Sequence, residues 1–142
     1  MAHFNQEKKK QVAPAIKAVL KKFGIKGSIA VRDYSTLVVN IKSGKLDFCD
    51  ADFRYQQQDG QRAARGWDPV RRDYIQVNRY YEADHMRAIG ETEIAEFYDE
   101  LIQAMLGAGW YDNSDAMTDY FDTAYYLDIN IGQWNKPYEL TV

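Results

Sequence analysis

Ten carboxylates and not a single lysine or arginine lie between Glu91 and Asp128. Carboxylates spaced in this way resemble the charges of a nucleic-acid backbone, and complementary charge speeds the encounter with a basic partner. We therefore predict an acidic surface that binds a protein, for example one that itself binds nucleic acid. The alternative is an ordinary solvated acidic surface. The residues predicted to contact the partner are Asp112, Asp115, Asp119, Asp122, Tyr126 and Asp128.

A second group of residues combines arginines with aromatic rings. Six of the eight arginines fall between residues 62 and 87, interleaved with tryptophan and tyrosine. Guanidinium groups bind phosphates and aromatic rings stack on bases, so this group favours a nucleic acid or a nucleotide as ligand. The alternative is that the arginines pair with the acidic part of the chain. The candidate residues are Arg62, Arg65, Arg71, Arg72, Tyr74 and Arg79.

No catalytic, cofactor-binding or metal-binding motif is present in the sequence. Its glycines form neither of the phosphate-binding loops typical of nucleotide enzymes. Cys49 has only His3 and His85 as candidate partners, so a buried apolar role is favoured over a nucleophile or a zinc ligand. Asp112, Asp115 and Asp119 lie close together but lack the glycine and the final glutamate of a calcium loop. We therefore predict a protein that is not an enzyme and holds no metal or cofactor.

The length of 142 residues predicts one domain spanning residues 1–142. A single cysteine excludes an intramolecular disulfide and favours a reducing, cytoplasmic location. No apolar run approaches the roughly 18 residues that a membrane span needs, and the N-terminus lacks the apolar region of a signal peptide.

Charge is unevenly distributed between the two parts of the chain. Residues 1–87 hold seventeen Lys and Arg against ten Asp and Glu, whereas residues 88–142 hold one base against eleven acids. Such asymmetry indicates a charged partner, head-to-tail self-association, or neutralisation of one part by the other in the fold.

Two helices are predicted from hydrophobic periodicity. Residues 5–23 have apolar side chains three and four positions apart after a capping Asn5, although Pro14 predicts that the helix can begin nearer Ala13. Residues 92–106 show the same periodicity, with an acidic outer side. The lysines of the first helix make its outer side basic and can extend the arginine-rich surface.

Strands are predicted where apolar and polar residues alternate. Residues 28–32 and 36–42 form a hairpin, residues 74–78 a third strand, and residues 125–131 the clearest strand of all. In this last strand Tyr125, Leu127, Ile129 and Ile131 are predicted to be buried and Asp128 to face water. Polar residues 50–69 are predicted to form a long mobile loop. The result is an α+β fold: a mostly antiparallel sheet of four to five strands, with two amphipathic helices packed on one face.

Two runs of residues resemble a small domain of phages, plasmids and prophages. They are Val31-Arg32 followed by STLVVNIKSG at 35–44, and Asp115 followed by TDYF at 118–121 and YLDINIGQWNKPY at 126–138. These runs are similar to one of the large-polyvalent-protein-associated families, and the resemblance spans nearly the whole chain. It implies a mobile-element protein in a bacterial cytoplasm, where such proteins often counter host defences by binding them. We therefore expect a non-enzymatic binder that inhibits a host defence protein, with a nucleic-acid or nucleotide binder as the alternative.

Overall fold

The structure, a computed structural model, describes residues 2–112 and 123–141. The elements in these ranges are α1 (Gln6–Lys22), β1 (Ile25–Arg32), β2 (Thr36–Gly44), α2 (Phe48–Gln58), α3 (Gly60–Ala64), β3 (Ile75–Val77), α4 (Glu82–Ala88), α5 (Thr92–Met105), β4 (Tyr126–Ile131) and β5 (Glu139–Leu140). The predicted α+β class is confirmed, and α2, α3 and α4 are additional to the two predicted helices. None of the described helices is long and apolar enough to cross a membrane.

The five strands form one sheet with the order β1-β2-β4-β3, and β5 pairs with the end of β2. The β1–β2 and β3–β4 pairs are antiparallel and hold most of the paired residues, whereas β2 pairs with β4 and β5 in parallel. The turn between β1 and β2 contains Asp33 and Tyr34, both with positive φ, as the tight turns of twisted hairpins require. Parallel pairing needs a long crossover connection, and α2 to α5 lie in that connection.

The first helix begins at Gln6 and runs through Pro14 to Lys22. Asn5 caps it by accepting a hydrogen bond from the Lys8 amide at 2.9 Å. The predicted helix with its Asn5 cap is therefore confirmed, and the alternative start near Ala13 is wrong. Pro14 lies on the exposed side of the helix, while the buried residues Val12 and Ile16 pack against the core on the opposite side. This packing outweighs the loss of one backbone hydrogen bond.

The predicted mobile loop at residues 50–69 is also wrong, because α2 and α3 occupy most of it. Asp47 caps α2 by accepting from the Asp50 amide at 3.1 Å, and Asp59 caps α3 by accepting from the Gln61 amide at 3.0 Å. The inner side of α2 includes Asp52 and Gln56, which are polar yet buried. Hydrophobic periodicity therefore did not indicate this helix.

One hydrophobic core lies between the helices and one face of the sheet. Alternate residues of the strands, such as Leu37, Val39 and Ile129, contribute to it together with the inner sides of α1 and α5. Phe48 lies at an aromatic centre, with its ring 5.5 Å from Phe97 and in contact with two buried tyrosines. Fully buried rings of this size contribute strongly to the stability of the core.

Gly132 lies where three segments of backbone meet, and its φ is +72°. A Cβ atom at this position would lie 2.6 Å from the Tyr138 nitrogen and 2.9 Å from the Asp73 oxygen. The amide of Tyr138 donates to that same Asp73 oxygen at 2.9 Å, so neither backbone group can move freely. We expect Gly132→Ala to destabilise the fold by about 3 kcal/mol or more, because unfavourable φ and overlap add together.

Gly66 provides a matched control, since its φ is +71° and a Cβ there meets nothing within 4 Å. We expect Gly66→Ala to lower the free energy of unfolding by only about 1–2 kcal/mol, which is the cost of a positive φ for alanine. Urea unfolding of both variants measures the difference. Equal losses of stability would show that backbone overlap at Gly132 is unimportant.

Candidate functional site

A cleft of about 290 Å³ lies between α2, the segment after α3, and α4. Three of its side chains come from α2 at spacings of three and four residues, which place them on one side of that helix. Two more come from α4, three residues apart. This volume is at the low end for small-molecule sites. The lining residues are Asp52, Tyr55, Gln56, Asp59, Arg62, Val70, Arg72, Tyr81, Glu82 and His85.

Asp52 holds one wall of the cleft in place. The Arg72 guanidinium donates to both of its carboxylate oxygens, from Nη2 at 2.6 Å and from Nε at 3.0 Å. Gln56 donates to Asp52 at 2.8 Å and also exchanges two hydrogen bonds of 2.9 Å with the backbone of Val70. These bonds fasten the extended segment before β3 to α2. A buried carboxylate needs such partners to remain charged.

Glu82 is the most perturbed carboxyl group in the cleft. Burial, and secondarily the negative charge of Asp52, raises the pKa of Glu82 from 4.5 to about 7, while a backbone hydrogen bond at Asn78 and the charge of Arg72 oppose the shift. At neutral pH this group is therefore close to half protonated. It can both donate and accept hydrogen bonds there.

Three aromatic side chains stand together beside Glu82. The His85 ring stacks on Tyr55, with 4.1 Å between centroids and an angle of 10°, and contacts Tyr81 at 4.5 Å. Burial lowers the pKa of His85, so its ring is neutral at physiological pH. Tyr81 also lines the cleft and is 45% exposed.

Arg62 lines the cleft and carries one buried donor without a partner. Its Nη2 donates to the Asp68 carbonyl at 3.0 Å, and its guanidinium lies 5.8 Å from the centre of the Trp67 ring. Its Nε is buried and has no hydrogen-bond partner, alone among the buried side-chain nitrogen and oxygen atoms of the described residues. Such an atom requires an explanation, because an unpaired buried donor is unfavourable.

The predicted basic residues are distributed over several places. Arg62 and Arg72 meet in the cleft, whereas Arg71 and Arg72 line a second cavity beside Cys49. Arg65 lies 5.0 Å from the Trp67 ring centre, and Tyr74 is exposed. Arg79 packs 4.6 Å from the Trp110 ring centre and lines a third cavity. Only the first pair contributes to the candidate site.

The predicted acidic residues differ in their exposure to solvent. Asp128 was expected to face water but is 6% exposed, because Arg32 donates to it at 2.6 Å and Gln76 at 3.5 Å. Asp112 is exposed and accepts a hydrogen bond from Thr123 at 3.4 Å. Tyr126 is 52% exposed, as expected. The positions Asp115, Asp119 and Asp122 lie outside the described residues.

Ion pairs connect the basic and the acidic parts of the chain. Within residues 2–112 and 123–141, four such pairs cross the boundary: Lys22–Glu100, Arg32–Asp128, Arg54–Glu91 and Arg87–Asp99. A share of the charge asymmetry in the sequence is therefore neutralised inside the fold.

Cys49 is buried, and burial raises the pKa of its thiol to about 11. The thiol is therefore protonated and weakly nucleophilic at neutral pH. In the described part of the chain, no group of three or more His, Cys, Asp and Glu side chains is arranged to hold a metal ion.

Sequence analysis missed most residues of the cleft. Tyr55 and Gln56 lay in the predicted loop, and Glu82 and His85 lay in a helix that was not predicted. A periodicity of polar residues was available as a signal, since Asp52 and Gln56 are four positions apart and Glu82 and His85 three. This polar periodicity predicts a buried polar side of α2 only when Arg72 is known to contact that helix.

Fold and cleft together define an α+β protein with a small cleft lined by polar and aromatic side chains. The chain matches no protein-family model, no curated protein and no solved structure. The resemblance of residues 31–44 and 115–138 to a mobile-element family therefore stays a prediction.

The raised pKa of Glu82 has a measurable effect on stability. The folded-state pKa of Glu82 lies above its unfolded value. The contribution of this group to the free energy of unfolding is therefore fully present below pH 4.5 and is lost as pH rises through about 7. Between these two pH values we expect wild type to lose on the order of 2–3 kcal/mol of unfolding free energy through Glu82. We expect Glu82→Gln not to show this loss. Urea unfolding of wild type and variant at several pH values measures this effect. Groups that titrate alike in both proteins cancel in the difference between their free energies of unfolding. Parallel pH profiles for the two proteins would contradict the assignment.

Proposed function

We propose that the protein is a non-enzymatic binder that takes a nucleobase, a nucleoside or a nucleoside monophosphate into the cleft between α2 and α4. The observation that carries this proposal is that the exposed ring of Tyr81 and the carboxyl group of Glu82, which titrates near neutral pH, line the same small cleft. A planar ligand can exchange a hydrogen bond with Glu82. The ring of the ligand at the same time covers the aromatic surface.

The cleft favours a heterocycle over a simple hydrocarbon ring. Glu82 is half buried and titrates near neutral pH, so it can accept from a ring N–H or donate to a ring nitrogen. Nucleobases carry donors and acceptors side by side on one edge, and their flat faces stack on tyrosine with about 1–3 kcal/mol per base. The Asp52–Arg72 pair is already satisfied and acts as a rigid wall.

Charge limits the number of phosphates that the ligand can carry. The cleft is lined by three acidic and two basic side chains, and Arg72 is committed to Asp52. Only Arg62 remains for a phosphate, and a triphosphate would also face Asp59 and Glu82. The cleft therefore suits uncharged or singly phosphorylated ligands.

Isothermal titration calorimetry with the four common nucleosides and their monophosphates tests this proposal. We expect binding by wild type and an affinity about tenfold weaker for Tyr81→Ala, which removes the stacking surface. Tyr80→Ala is the matched control, because Tyr80 is 74% exposed but does not line the cleft. Absence of binding to all eight compounds, or equal effects of the two substitutions, would overturn the proposal.

A second candidate function is capture of a host protein through the acidic side of α5, in the bacterial cytoplasm that the family resemblance implies. Glu93 and Glu96 are exposed on this helix, one turn apart, and neither forms an ion pair with a described residue. Glu100 and Asp99 are neutralised by Lys22 and Arg87. On α5, Glu93 and Glu96 therefore remain as the candidate acidic contacts of this second function.

Pulldown from bacterial lysate with mass spectrometry tests this second function. We expect Glu93→Lys combined with Glu96→Lys to abolish capture of the proteins that wild type retains, because complementary charge becomes repulsion. Glu7→Lys with Glu139→Lys changes net charge equally on other elements and should preserve capture. The idea fails if wild type retains no specific protein, or if both double variants lose capture alike.

A further inference from the structure

The face of the sheet opposite the hydrophobic core is polar. Strand register places Ser28, Asn40, Asn130 and Gln76 in one row across β1, β2, β4 and β3. The side chains of Asn130 and Asn40 are joined by a hydrogen bond of 3.0 Å. Val38 is the apolar residue at the centre of this face and is buried, but it does not belong to the core cluster.

This face is held rigid by its own side chains. The Arg32 guanidinium reaches from β1 across β2 to Asp128 on β4, and Gln76 on β3 donates to the same carboxylate. All four strands of the main path are thus connected above the backbone. Amide groups fixed in this way are preorganised donors and acceptors.

Exposed aromatic rings stand at both ends of β4. Tyr126 begins the strand on this face and is 52% exposed. Trp134 is 82% exposed at the tip of a tight turn, where Gln133 and Lys136 exchange backbone hydrogen bonds of 2.8 and 3.0 Å. The five steps from Tyr126 to Ile131 cover about 17 Å along the strand, and Trp134 follows in the turn after it.

Lysines flank the tryptophan turn. Lys42, which shares the polar face, and Lys136, in the turn, line a cavity of about 480 Å³ together with Asn40 and Asn135. Neither lysine is in an ion pair with a described residue. Glu139, on the opposite strand β5, is the acidic residue of this cavity. The cavity thus combines two cations with amides, and the exposed Trp134 lies in the turn beside it.

We propose that single-stranded nucleic acid binds across this polar face. Trp134 and Tyr126 stack on unpaired bases, the amides of Asn40, Asn130 and Gln76 contact base edges, and Lys42 and Lys136 contact phosphates. A duplex is excluded because its bases are already stacked and cannot cover the two rings. A protein partner would need acidic groups opposite the lysines and apolar groups opposite the rings, whereas one nucleic-acid strand provides both kinds of group at every residue.

Fluorescence anisotropy with labelled 15-nucleotide single strands of DNA and RNA, at low salt, tests the proposal. We expect wild type to bind single strands more tightly than the matching duplex, and Trp134→Ala to weaken binding about tenfold. Lys42→Glu with Lys136→Glu should also reduce the slope of log affinity against log salt by about 1.4, since two phosphate contacts are lost.

Three control variants separate this site from the rest of the molecule. Trp67→Ala removes another exposed tryptophan, Lys17→Glu with Lys21→Glu removes two exposed lysines of α1, and Tyr81→Ala removes the ring of the nucleoside cleft. All three should bind single strands as wild type does, so this proposal and the nucleoside proposal can fail separately.

The proposal is overturned if wild type binds neither single strand, if duplex binds as tightly, or if folded Trp134→Ala binds unchanged. It is also overturned if the α1 lysine variant loses as much affinity as the Lys42 and Lys136 variant. A tryptophan that serves instead to anchor a protein partner would give the first of these results.

Discussion

The parallel pairing of β2 with β4 is the constraint on which the rest of the structure depends. Asn40 and Asn130 hydrogen-bond across this pair although they lie 90 positions apart. Closing so long a loop is unfavourable in entropy until long-range contacts form. The hydrophobic pairs Leu37–Leu127, Val39–Ile129 and Ile41–Ile131 on the core face offset that loss by burying apolar surface. Once the pair exists, the connection between its strands must fold over the core, and that connection carries every residue of the cleft.

Helices and strands were predicted correctly from the sequence where their buried side is apolar. The prediction failed where polar side chains are buried. The apolar spacing of α5 and the alternation in β4 were sufficient to predict both elements. In α2, by contrast, Asp52 and Gln56 occupy buried positions, so hydrophobic periodicity is interrupted where the helix is most constrained. Asp128 was misplaced for the same reason, because the Arg32 that neutralises it lies 96 positions away. Pairing between distant polar residues leaves no local pattern in the sequence.

The cleft and the polar sheet face differ in how their buried polar groups are satisfied. On the sheet, Asp128 is held by Arg32 and Gln76, and the amides of Asn40 and Asn130 join each other. In the cleft, Asp52 is equally well satisfied, but the Nε of Arg62 is left without a partner and Glu82 is kept partly protonated by burial. The cleft is small and holds a carboxyl group that can donate or accept a hydrogen bond, which fits the proposed small ligand. The sheet face carries amides joined to one another and exposed rings nearby, which fits the proposed extended ligand.

The position of charge in the fold decides from which side a polyanion can approach. On the helix layer, basic α1 packs beside acidic α5, and Lys22–Glu100 bridges the two, so their fields partly cancel. Salt screens the remaining field beyond the Debye length of about 8–10 Å. On the polar sheet face, Lys42 and Lys136 have no ion-pair partner within the described residues, and Asp128 is buried and paired with Arg32. Glu139 is the acidic residue that shares the cavity of the two lysines. The uneven charge of the two parts of the sequence thus becomes a difference in charge between the helix layer and the polar sheet face. The helix layer is mixed in sign, and under the proposal a polyanion approaches from the sheet side, near Lys42 and Lys136.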